Sequence, residues 1–175
     1  ANLTGAMLIN AKLQRANLSN ADLSKAAMNN AILFYSDLTN ADLSNVSLSN
    51  TELSKTELRF ANLTDADLSE TEIFKSDLAN ADLSNADLFS ANLREANLTG
   101  ANLTGASLID ANLTDVNFYG ANLTNTDLTG VNLRRANLYT AITTGAFMDD
   151  AGPSRGKLSL STIDGATRFW MMRAG

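Results

Sequence analysis

A small residue, any residue, a large apolar residue and then two more: this order of five recurs twenty-eight times without a break over residues 1–140. The third place holds Leu in twenty-five units and Met28, Ile73 or Phe118 in the other three, while the first place is always Ala, Ser, Thr or Val. A period of five suits neither regular element in a straight chain. On a helix, residues five apart are turned by about 140°, so the apolar positions would spiral round the cylinder. On a flat strand an odd spacing sends successive Leu to opposite faces. The pattern is used fully only if each unit is a short extended piece followed by a corner. The first and third residues then point inward, the second points outward, and the last two turn the chain.

The corner positions agree. Gly, Asn or Asp fill the fifth place in seventeen of the twenty-eight units, among them Gly5, Asn10, Asn45, Asp65, Gly100 and Gly130. These residues tolerate a left-handed backbone at low steric cost. Proline is absent from residues 1–140, as expected where strand N–H groups are needed for pairing. The chain is therefore expected to wind into a solenoid whose coils stack through backbone hydrogen bonds, each touching only its neighbours.

Units such as ANLTG (1–5), ADLSN (81–85) and ANLYT (136–140) resemble the A(D/N)LXX motif of pentapeptide-repeat proteins, and the resemblance covers about four-fifths of the chain. It implies an all-β fold, a right-handed quadrilateral parallel β-helix with four units to a coil. Residues 1–140 would then make about seven coils, a rod roughly 34 Å long at ~4.8 Å per coil. The expected division is a pentapeptide-repeat β-helix over 1–150 and a C-terminal capping segment over 151–175. The grid lapses at Thr143, where an apolar centre was due, and Pro153 ends the ladder. Beyond it, 157–163 and 166–172 read as a hairpin about Asp164-Gly165, with a short helix over 166–173 as the competitor. Either form brings Phe169, Trp170, Met171 and Met172 over the last coil as a cap.

Cysteine and histidine are both absent, which removes disulfides, thiolate metal sites and the usual general base. No apolar run reaches membrane-spanning length, so the expectation is a soluble chain with no membrane span. The sequence starts at Ala1, already inside a unit, which leaves the compartment open between the cytoplasm and export to a periplasm or thylakoid lumen. Leu3, Leu8, Leu13 and Leu18 have no coil beneath them in this sequence, and a homodimer through a terminal face is one way to cover them.

Stacking every twentieth residue sorts the units into four sides, which we number from the units beginning at residues 1, 6, 11 and 16. The third side carries Lys12, Arg15, Lys55, Lys75, Arg94, Arg134 and Arg135 against Glu52, Glu72, Glu95 and Asp115, a balance of about +3. The second side carries Asp67, Glu70, Asp87, Asp110 and Asp127 and no base over its units up to 130, about −5. Phe34, Tyr35 and Phe74 lie on the third side at places expected to point outward. Aromatic rings among Lys and Arg are what a recognition surface tends to use. The candidate partner-binding face is therefore Lys12, Arg15, Phe34, Tyr35, Lys55, Phe74, Lys75, Arg94, Arg134 and Arg135. The plainer reading is that the fifth places of this side, which lack Gly and Asn, form corners with no need of a left-handed residue and simply accept long side chains. Second-place acids run from Asp22 to Asp87, with Asn taking over from Asn92 to Asn137. Stacked acids repel, so water screening and solubility are their expected explanation. Met7, Ile9, Phe60, Phe89, Ile109, Tyr119 and Tyr139 read as isolated exposed apolar residues.

Catalysis needs a concave site with converging groups, and a lumen filled with Leu and Ala offers none. No catalytic, cofactor-binding or metal-binding residue is assigned, and neither a cofactor nor a small-molecule substrate is expected. The preferred function is a structural module that binds a so far unidentified protein partner. The alternative, implied by the quinolone-resistance branch of the same family, is a DNA mimic that binds DNA gyrase. Charge argues against it: 34 Å of duplex carries on the order of 20 charges, and this chain has a net charge of −6. Direct binding of nucleic acid by the basic side is weaker still, because the neighbouring side is acidic.

Overall fold

A complete account of one unit's backbone N–H groups shows why the motif has its composition. In unit 81–85, Ala81 N–H closes the preceding corner on Leu78 C=O (3.0 Å), and Asp82 N–H donates to Ala61 C=O one coil back (3.0 Å). Leu83 and Asn85 donate to Asn102 C=O (2.7 Å) and Thr104 C=O (3.0 Å) one coil forward. The fourth N–H, of Ser84, has no backbone acceptor within reach and donates instead to Asp82 Oδ1 (3.0 Å). The second place thus favours Asp or Asn because its side chain satisfies the one donor that the coil leaves over.

The computed structural model describes residues 1–151. Within them the chain is a parallel β-helix. Each second-place residue bridges in parallel to the one twenty positions on, from Asn2 with Asp22 to Asp127 with Phe147. Twenty residues are four units, so each coil has four sides. Every fifth residue from Gly5 to Asp150 is left-handed, with φ between 54° and 70°, as the third residue of a type II turn requires. The regularity runs past Thr143: Ala146 N–H closes a turn on Thr143 C=O at 3.1 Å, and Thr143 is buried. The lapse expected there is one of side-chain type, not of backbone. The tail from residue 152, with its expected hairpin or helix, lies outside the described residues.

First- and third-place side chains fill the lumen. Leu23, Leu63, Leu103 and Phe118 are all fully buried, and each such side chain contributes roughly 2 kcal/mol. Leu3, Leu8, Leu13 and Leu18 are only partly buried against this core. At several first-place Ser and Thr residues the hydroxyl is used inside, although those of Ser36 and Thr143 are buried without a partner. Thr51, Thr56 and Ser76 donate to the carbonyls of Met28 (3.0 Å), Leu33 (3.1 Å) and Leu53 (2.6 Å), and Thr71 donates to Leu68 C=O. These braces sit in the corners on either edge of the third side.

The second-place acids are not merely tolerated by water. Asp22, Asp42, Asp67 and Asp87 each accept the N–H two residues on, at 3.0–3.1 Å. Where an Asn follows one coil later its amide donates back, as Asn62 does to Asp42 (3.0 Å), Asn97 to Asp77 (2.9 Å) and Asn102 to Asp82 (3.0 Å). Acids do stack on acids, as Asp22 with Asp42 and Glu52 with Glu72, and the structure adds a role to the expected one of solubility: an acid closes its own corner, and an Asn above it adds a rung.

Candidate interaction face

The third side is built from second-, fourth- and fifth-place residues. The fifth-place residues are Arg15, Tyr35, Lys55, Lys75, Glu95, Asp115 and Arg135, and their φ angles lie between 57° and 60°. The premise of the plainer reading, that these corners have no need of a left-handed residue, is thereby overturned. Its corners need the left-handed conformation as much as any other, and all but Asp115 adopt it with residues that do so at a steric cost of about 1 kcal/mol or more each. Long side chains are held there against local preference.

The rings and cations interleave along the coil axis. Arg15 Cζ and Lys55 Nζ lie 6.0 and 5.0 Å from the centre of the Tyr35 ring, one coil to either side of it. Lys55 Nζ also donates to the Tyr35 hydroxyl (2.8 Å), and this bond holds the phenol below its usual 10.0. Phe34 meets Tyr35 edge to face, with 5.6 Å between ring centres. Lys75 Nζ and Arg94 Cζ lie 5.0 and 5.6 Å from the centre of the Phe74 ring, and both cations pair with Glu95, at 3.1 and 3.0 Å. Arg135 grips Asp115 one coil back, Nε to Oδ1 at 2.5 Å and Nη2 to Oδ2 at 2.6 Å.

Seven of the ten candidate residues are thus brought into two adjoining clusters, Arg15 with Phe34, Tyr35 and Lys55, and Phe74 with Lys75 and Arg94. Lys12 is exposed at the start of the side, and Arg134 and Arg135 stand beyond the unit 111–115. Between the clusters lies an open concavity of about 540 Å³, walled by Phe34 and Phe74, floored by Ile32 and Ser54 and rimmed by Glu52 and Lys55. Phe34 and Phe74 are half-buried, not simply outward. Ile32 and Ser54 escaped the sequence reading and Glu52 was counted there only as a charge, although a small residue between two Phe at twenty-residue spacing was there to be seen. On the fourth side, Tyr119 and Tyr139 are not isolated: their rings stack with 5.7 Å between centres and 16° between planes.

Among the described residues, no group of three or more His, Cys, Asp or Glu is placed to hold a metal ion, and no helix is long and apolar enough to cross a membrane. The arrangement presents cations, ring faces and an open concavity on one side of the solenoid.

The profile described as "Pentapeptide repeats" matches residues 1–33, 36–73, 74–105 and 102–145, in eight copies. No curated protein sequence matches the chain. Among solved structures, a pentapeptide repeat protein of the Arabidopsis thaliana thylakoid lumen is 40% identical, over 56% of this chain and 68% of its own, with a TM-score of 0.55. A trypsin-treated form of QnrB1, a plasmid-mediated fluoroquinolone resistance protein, is 25% identical over 93% of this chain and 74% of its own, with a TM-score of 0.54. HetL of the cyanobacterium Nostoc sp. strain PCC 7120, involved in heterocyst differentiation regulation, is 29% identical over 93% and 87%, with a TM-score of 0.41.

Proposed function

Since the chain belongs to the pentapeptide-repeat family, whose fold is a right-handed β-helix solenoid, we propose that it is a non-catalytic interaction module and that its third side is the face that binds a protein partner. The observation that carries this reading is the interleaving of Arg15, Tyr35 and Lys55 and of Lys75, Phe74 and Arg94. Of these, Arg15, Tyr35, Lys55 and Lys75 sit on left-handed corners that Gly or Asn would fill at lower steric cost. Cations next to aromatic rings in a rigid frame lose little side-chain freedom on binding, and this favours recognition. The reading includes about seven coils over 1–140 closed by a cap within 151–175, as a module that works by presenting a surface. Export is the accompanying proposal, suggested by the thylakoid-lumen relative.

The test is charge reversal of Lys55, Lys75 and Arg94 together, followed by quantitative pull-down beside the unaltered protein. Loss of a specific partner with an unchanged circular dichroism spectrum supports the face. Recovery of the same proteins by both forms means that the face is inert. Gyrase binding by DNA mimicry is the weaker alternative, supported by the likeness to QnrB1 and opposed by the basic third side. Supercoiling by gyrase that is unaffected by excess protein eliminates it.

A further inference from the structure

The fourth-place residues of the third side read Phe34, Ser54, Phe74 in three successive coils. Coils are one strand spacing apart, about 4.8 Å, so the two Phe stand two spacings apart, about 9.6 Å, with nothing bulky between them. Aromatic rings pack favourably with centres 4.5 to 7 Å apart. A ring placed over Ser54 would therefore lie at stacking distance from both walls. The solenoid makes such a contact elsewhere from its own residues: Tyr119 and Tyr139, also fourth-place residues of successive coils, stack at 5.7 Å. The concavity over Ser54 is an aromatic ladder with one rung left out.

We propose that this slot takes an aromatic side chain of a partner protein, carried on an acidic segment. The inference rests on the third side being the partner-binding face and names what that face recognises. Three observations fix the chemistry. The Tyr35 and Phe74 rings already carry two cations each, so what the slot still lacks is a ring and not a further cation. Among the described residues neither Lys55, which lines the slot, nor Arg15, which lies over the Tyr35 ring one coil before it, has a carboxylate within salt-bridge distance, which leaves one positive charge at the slot's edge and a second beyond Tyr35 for acidic neighbours of the inserted ring. Glu52 turns Oε1 to the N–H of Ser54 at 3.0 Å, so Oε2 can accept from an indole N–H or a phenol O–H, which favours Trp or Tyr over Phe.

The decisive variant is Ser54→Phe. Phe already stands in the fourth place at Phe34, Phe74 and Phe89, so this corner tolerates the change, and the new ring occupies the missing rung from within. The probe is the peptide Asp-Glu-Trp-Glu-Asp, titrated into isotope-labelled protein and followed by the NMR signals of Ser54 and of the Phe34 and Phe74 rings. Those signals are expected to shift. S54F, with an unchanged melting temperature, is expected to weaken binding about tenfold, the equivalent of one to two ring contacts. Replacing Trp by Ala in the peptide is expected to do the same, and the double variant F34A/F74A serves as a second check. Three outcomes overturn the proposal: no shift at these residues at millimolar peptide, equal affinity for S54F and the unaltered protein, or equal or tighter binding of Lys-Lys-Trp-Lys-Lys. Pull-down separates this from the face itself. A partner lost with the triple charge reversal but kept by S54F leaves the face standing and removes the slot. A partner kept by the triple reversal removes the face, and the peptide titration then decides the slot alone.

Discussion

Arg135 and Asp115 are twenty residues apart in sequence and joined by two hydrogen bonds in space, so one ion pair staples two successive coils. The bond to Arg135 holds the Asp115 carboxyl below its usual 3.8. Asp22 and Asp37 are held below it as well, chiefly by Ser24 and Thr39. A carboxylate depressed in the folded state contributes stability that is fully present above the unfolded value and lost as pH falls through the folded one. Stability is therefore expected to be flat from neutral pH down to about 4 and to fall below 3.8. Arg135→Ala should return the Asp115 titration, followed by NMR, to the ordinary range, with little change in melting at pH 7 because the pair is exposed.

Leu63 is fully buried in the lumen, among first-place Ala residues too small to fill a gap. Leu63→Ala should cost about 2–5 kcal/mol, seen as a lower midpoint in denaturant. Because each coil touches only its neighbours, hydrogen exchange should rise most in the coils next to residue 63.

Asp82 serves two donors through the same oxygen, the Ser84 N–H and the Asn102 amide, each at 3.0 Å. Asp82→Ala removes both and is expected to cost about 1–3 kcal/mol. Asp82→Asn keeps an acceptor in the same place and should stay within about 0.5 kcal/mol of the parent. Equal losses from the two substitutions in urea denaturation would show that charge, not the corner hydrogen bond, is what matters at this position.

Gly100 has φ +66°, and a Cβ added there would lie 2.6 Å from Asn80 Oδ1. Gly100→Ala should destabilise by about 1–2 kcal/mol from backbone strain before any shift of Asn80. The converse applies at Lys55, whose φ is 57°. Lys55→Asn is expected to raise thermal stability by up to about 1 kcal/mol while weakening capture of the partner. A gain in both melting temperature and partner binding would contradict the idea that long residues are kept on these corners for recognition.

Much of the fold was legible in the sequence because one unit answers every local requirement. Leu83 at the third place, Ala81 at the first, Asp82 as corner acceptor and Asn85 as the left-handed residue each follow from the pentad alone. The basic side was legible too, since a fixed twenty-residue register turns sequence position into place on a surface. The corners at Tyr35 and Lys75 were misjudged because side-chain preference was taken to report backbone conformation. In a solenoid the stacked coils before and after a corner impose the turn, and the residue there conforms. Tyr119 and Tyr139 were misjudged for a related reason, as residues twenty apart become neighbours only once the coils are stacked.

By itself the sequence determined the period, the contents of the lumen and the sign of charge on each side, because these depend only on which residues recur and at what interval. The tertiary structure decided what those residues do to one another. Phe34 and Phe74 flank a gap over Ser54, and Lys55 spends its ammonium on a phenol one coil away. Distances across coils are fixed by backbone hydrogen bonds between residues twenty apart, and that spacing turns separate exposed side chains into a single surface.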